Sequence, residues 1–141
     1  MPLDVRFDED HDLIHVVVSG VWPTLPDIIA ERSRLIMSGW LRPGVVELVD
    51  VRAVTRGIPN ISQMQAILHA IGKPPQRRAL VVGSNVQFTA GRMAELLDPT
   101  GIKVFRDEAS ARRWLLQPPA ADERPEVDRS RSGRIAIFKN R

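Results

Sequence analysis

Histidines, serines and charges at strand ends are the residues of this chain that could do chemistry. His11 and His15 stand four apart, with Asp8, Asp10 and Asp12 around them. That spacing puts two ligands on one face of a helix, but here the first falls in an acidic turn and the second in a strand. Zinc needs three or four convergent ligands, so a solvated turn beside a strand histidine is expected, and no metal. His69, between Leu68 and Ala70 on a helix, reads as peripheral. Nucleophilic catalysis needs a Ser or Cys, a base and an orienting acid. Cysteine is absent and no serine sits in a Gly-x-Ser-x-Gly elbow. Ser84 follows Gly83 where a strand gives way to a helix, a place where free amides can hold an anion. A helix cap accounts for Ser84 and Asn85 without any ligand. No catalytic set is expected.

The segments Asp50–Ser62 and Gly83–Asn85 share one property. Both follow strands expected to be parallel, at the carboxyl ends where α/β sheets place their binding crevices. Asp50, Arg52 and Arg56 supply charge there, and Ser62, Ser84 and Asn85 supply hydrogen-bonding groups. These six form the candidate binding site. Trp114 is expected in the core. Trp22 and Trp40 flank the first helix and are expected to be partly exposed, where tryptophan can anchor a partner.

The elements that must position these residues are well punctuated. Leu3, Val5 and Phe7 alternate with Asp4, Arg6 and Asp8, the period of a half-buried strand. An acidic turn leads into a second strand over Leu13–Ser19, so the pair reads as an antiparallel hairpin broken at Gly20. Thr24-Leu25-Pro26-Asp27 starts a helix that Gly39 ends. Val45–Val51 is nearly continuously apolar, as a strand covered on both faces should be. A second helix runs from Asn60 to Gly72. Ala79–Val82 is another buried strand, Val86–Leu97 a third helix, Ile102–Phe105 a last short strand, and Asp107 caps a final helix. The order β-β-α-β-α-β-α-β-α predicts a mixed sheet, with central parallel strands, right-handed crossovers and about four helices.

The chain has 141 residues, 43% of them hydrophobic, which is enough for one core without staples. The net charge is +3. Part of that excess lies beyond Gln117, in Arg124, Arg129, Arg131, Arg134, Lys139 and Arg141. The few aromatics do not interleave with arginines, so no nucleic-acid partner is expected. No apolar stretch approaches the ~20 residues that span a bilayer, and the charged start does not read as a secretory signal. A cytoplasmic protein is expected. Pro118-Pro119-Ala120-Ala121 marks a shift in composition, so residues 1–116 are taken as the domain and 117–141 as a largely disordered tail. Ile135–Phe138 is an apolar island within that tail, able to dock on a strand edge.

The order of elements, together with certain stretches, resembles the SpoIIAA-like branch of the STAS (sulfate transporter and anti-sigma factor antagonist) superfamily. The stretches are Leu13–Trp22, Glu47–Arg52, Gly91-Arg92-Met93-Ala94-Glu95, and Lys103–Asp107 with Ala111 and Trp114-Leu115. The resemblance spans about residues 3–116 and implies a β/α sandwich, a cytoplasmic setting and a non-enzymatic role in signalling or partner binding. Phosphorylatable members carry an Asp-Ser-Ser-Gly-type motif where Thr55–Ser62 stands here. Ser62 is the candidate acceptor, with Thr55 a weaker one. A phosphate there would add roughly −1.5 to −2 charges at a helix N-terminus.

Two functions follow as expectations. The first is a module that binds a protein partner or itself, with no cofactor and no turnover. The second is a carrier or sensor of a small apolar or anionic ligand, lipid-like, held between sheet and helices in a cavity of roughly 300 Å³ or more.

Overall fold

β1 (Leu3–Asp8) and β2 (Leu13–Val21) pair antiparallel, with Leu3 opposite Val18 and Asp8 opposite Leu13. Asp12 closes the turn between them in the left-handed region, at φ 50°, a conformation Asp tolerates because its short side chain can bond locally. The computed structural model describes residues 3–72 and 76–118. The tail from 119, with its Ile135–Phe138 island, lies outside the described residues.

The remaining elements are α1 (Leu25–Ser38), β3 (Val46–Arg56), α2 (Ile61–Ile71), β4 (Arg78–Val81), α3 (Asn85–Leu97), β5 (Ile102–Phe105) and α4 (Glu108–Leu116). Each helix starts on a side-chain cap. The Thr24 hydroxyl accepts from the Asp27 amide, Asp107 accepts from Ser110, and Asn60/Gln63 and Ser84/Gln87 form reciprocal capping boxes.

The five strands lie in chain order, β1-β2-β3-β4-β5, with β2 to β5 parallel. Because parallel crossovers are right-handed and every one steps the same way along the sheet, α1, α2 and α3 must share one face. α4 follows the last strand, is not a crossover, and covers the other face. Side-chain parity agrees. Ile14, Val16, Val18 and Val51 pack under the three helices, whereas Leu13, Val46, Leu48, Ala79 and Val81 pack with Ala111 and Leu115 of α4.

Two strands run further than the sequence reading, and β3, β4 and α3 each start one residue away from it. β2 runs through Gly20 to Val21, and β3 continues past Val51 to Arg56. The extension is polar and carries no apolar run, but it stays paired with β2. The ladder steps from Val17↔Asp50 to Ser19↔Ala53 and from Gly20↔Val54 to Val21↔Arg56. Each step leaves an extra β3 residue, as a bulge does.

Helix α3 lies close on β5, while α1 and α2 pack on their helical neighbours and stand further from the strands. Small residues permit the close approach of α3. A Cβ placed on Gly91 would lie 2.6 Å from Val104 Cγ2. Gly91→Ala therefore overpacks this seam. The expected cost is about 1–3 kcal/mol, seen as a lower urea midpoint at unchanged slope.

Candidate functional site

Asp50 and Arg52 sit at the first β3 bulge, on the α4 face. Arg52 Nε donates to Asp50 Oδ1 at 3.0 Å and Nη2 to Oδ2 at 2.7 Å, and the Arg52 amide also donates to Oδ1 at 3.0 Å. The arginine stem lies against Gly83, and Nη2 is 3.8 Å from Glu108 Oε1. Burial alone would push the Asp50 carboxyl up, but the hydrogen bonds and charge of Arg52 outweigh it and hold the carboxyl below its ordinary value. Arg52→Ala removes that compensation and leaves the burial. The Asp50 carboxyl is then expected to titrate at a higher pH than in the parent protein, as NMR of the side-chain carboxyl carbon would show.

The start of α3 is occupied by its own side chains. Gln87 Oε1 accepts from the amides of Gly83 at 2.8 Å and Ser84 at 3.3 Å, while Ser84 Oγ accepts from the Gln87 amide at 3.1 Å. Gln87 Nε2 donates to the Val54 carbonyl at 3.0 Å, tying the helix to the β3 extension. Asn85 Oδ1 accepts from Arg106 Nη2 at 3.2 Å. The Gly83, Ser84 and Gln87 amides are thus already bonded, and Ser84 is the cap, while Asn85 is the first residue of the helix. The structure brings Asp50, Arg52 and Gly83 together at the strand ends. Arg56 lies six residues beyond Asp50, roughly 20 Å along the strand, and is exposed, as is Ser62 in the first turn of α2.

His15 also faces this rim. One ligand atom from each of His15, Asp50 and Glu108 falls within 4.8 Å of the others, and His15 Nε2 is buried without a hydrogen-bond partner. Both Asp50 oxygens accept from Arg52, whose Nη2 is the cation that Asp50 and Glu108 share. His11 instead pairs with Asp8, Nδ1 to Oδ2 at 2.8 Å.

On the opposite face, the stand-off of α1 and α2 opens a cavity of about 140 Å³, partly open to solvent. Val16 and Val18 of β2, Val49 and Val51 of β3, Leu35 of α1 and Ile67 of α2 contribute to an overwhelmingly apolar lining. Its volume is about half that expected for a carrier, because Leu35 and Met64 project into the space under the helices and are buried there. Trp22 borders it with a buried, unpartnered Nε1.

The charges at this cavity escaped the sequence reading. Glu47 and Arg78 are opposite each other on β3 and β4, both buried and both lining it. Glu47 Oε1 accepts from Arg78 Nε at 2.8 Å and lies 3.5 Å from Arg32 Nη1 of α1. Burial pushes the Glu47 carboxyl up, yet the two arginines overcome this and hold it below its usual range. Desolvation in turn lowers Arg32, partly offset by Glu47. The signal was present as a lone carboxylate inside Val45-Val46-Glu47-Leu48-Val49. A charge in a strand covered on both faces requires a buried partner.

A leading hairpin, three crossover helices on one face and a short terminal helix on the other define a SpoIIAA-like α/β fold. Among solved structures, the chain is similar to an uncharacterized protein of the DUF3478 family with a SpoIIAA-like fold from Shewanella loihica PV-4. The TM-score is 0.55 at 19% identity, over 80% of this chain and 91% of that one. At that identity the likeness is one of fold. No family model matches the chain, and no curated protein matches it. Among the described residues, no helix is long and apolar enough to cross a membrane.

Proposed function

We propose that this protein is a non-enzymatic cytoplasmic module that binds a small apolar ligand between the sheet and helices α1–α3, and so acts as a sensor in regulation. The observation that carries this reading is the cavity itself. Its volume of about 140 Å³ is close to the ~150 Å³ at which an apolar cavity in a protein core takes up benzene. Apolar surface buried in it is worth about 25 cal/mol per Å², so a ligand of this size binds without a polar anchor. Titration of the full chain with 1-octanol, followed by amide NMR, is expected to shift residues lining the cavity and to spare α4. The variant Ile67→Trp, which fills the space, should abolish the shifts. Shifts confined to α4, or none, would remove this reading.

Binding of a protein partner through α1 is a second reading, favoured by the outer face of that helix. Ile29, Ile36 and Met37 are exposed there, Met37 at 87%. Pulldown from the native host with Met37→Glu as control separates the two readings, since that substitution lies on the outer face and should spare ligand binding.

A further inference from the structure

Arg78 presents a contradiction in physical terms. Its side chain is only 3% exposed. Nε is used by Glu47, while Nη1 and Nη2 are buried with no hydrogen-bond partner. A buried charged donor left unbonded is strongly unfavourable, so the atoms call for an acceptor from outside the protein. The charges agree. Arg32 and Arg78 face the single carboxylate Glu47, which leaves one positive charge in excess. The nearby Glu31, which also borders the cavity, is paired with Arg34 at 3.2 Å. The same Arg78 lines the cavity beside Glu31, Arg32, Glu47 and Gln87, and the rest of the lining is apolar. One end of the cavity therefore carries a cluster in which two guanidiniums share one carboxylate, and the rest is greasy.

We propose that the cavity takes a small amphipathic monocarboxylate, with its head on Nη1 and Nη2 of Arg78 beside Arg32 and its tail among Val49, Val51 and Ile67. The proposal rests on the apolar-ligand reading above and names the ligand class. A guanidinium fork matches the two oxygens of a carboxylate, and a single negative charge neutralises the excess, whereas a doubly charged phosphate monoester would overshoot it. From Glu47 to Val51 the strand advances about 13 Å, room for a carboxylate head and an extended chain of roughly eight carbons in all. At the other charged cluster, Arg52 Nε and Nη2 already have Asp50 as acceptor.

The test compares octanoate with 1-octanol, which has the same chain length without the charge, by calorimetric titration of the full chain. Charge-assisted hydrogen bonds predict that octanoate binds about ten- to a hundredfold tighter. In Glu47→Gln/Arg78→Gln, which removes both charges together, that preference should vanish while octanol binding persists. Arg78→Lys, which keeps the charge but loses the fork, should reduce the preference in part. Equal binding of the two probes by the parent protein would overturn the proposal and leave the apolar-ligand reading intact. Binding of neither would overturn both. A preference that survives the double variant would overturn the assignment to Arg78. The parent comparison needs no variant to fold.

Discussion

Glu47→Ala is expected to lower the stability of the protein by about 3–5 kcal/mol, measured by urea denaturation monitored by circular dichroism. The loss comes from what remains. Arg78 keeps no partner for Nε, and Arg32 loses the carboxylate 3.5 Å away, so two guanidinium groups stay in a low-dielectric site with nothing opposite. Removing Arg78 as well, in Glu47→Ala/Arg78→Met, is expected to recover much of the loss, because the uncompensated charge goes with it. The pH dependence follows from the same geometry. The folded carboxyl is held below its unfolded value, so the unfolded chain binds the proton first as pH falls. The contribution of Glu47 is full above the ordinary carboxylate range of about 4.3 and is lost as pH drops through the depressed folded value. Parent protein should lose stability in acid more steeply than the double variant.

Leu48→Ala should cost about 2–5 kcal/mol, and the neighbouring Val49→Ala only about 1 kcal/mol. Leu48 is fully buried against Leu13, Ala79, Val81, Ala111 and Leu115, a tightly packed cluster in which truncation leaves a new void. Val49 faces the other way, onto a space already open, so its truncation loses transfer free energy with little added cavity penalty. Comparison of the two denaturation midpoints tests the assignment of faces directly. Equal losses would mean that the two sides are packed alike.

The fold was legible because its elements are strongly periodic and plainly capped. Thr24, Asn60, Ser84 and Asp107 each precede a helix, and Gly39 and Gly72 follow one. What resisted was the far half of β3. Arg52, Ala53, Thr55 and Arg56 carry no strand pattern, and their pairing depends on bulges set by β2, a long-range effect that no local window contains. The candidate rim was chosen from a rule about strand ends. It offers Asp50 and Arg52 as binding residues, but cannot show that Arg52 already satisfies Asp50, or that Gln87 satisfies the amides of Gly83 and Ser84. Arg32, Glu47 and Arg78 were overlooked because they are distant in sequence. Only the parallel register Glu47↔Arg78 and the crossover that lays α1 over the strands bring them together.

The order of helices across the sheet has a mechanical outcome. Among the described residues, α1 abuts one helix, α2. Beyond its end, Trp40 stacks on Phe7 of the hairpin with ring centres 5.3 Å apart. It is thus fastened along one long side and at one corner, with Leu35 as its buried hold on the sheet. Leu35 on its underside faces the cavity, while Met37 on its upper side faces solvent. The ligand proposed above would therefore touch the underside of the one helix whose upper side carries Met37 into solvent.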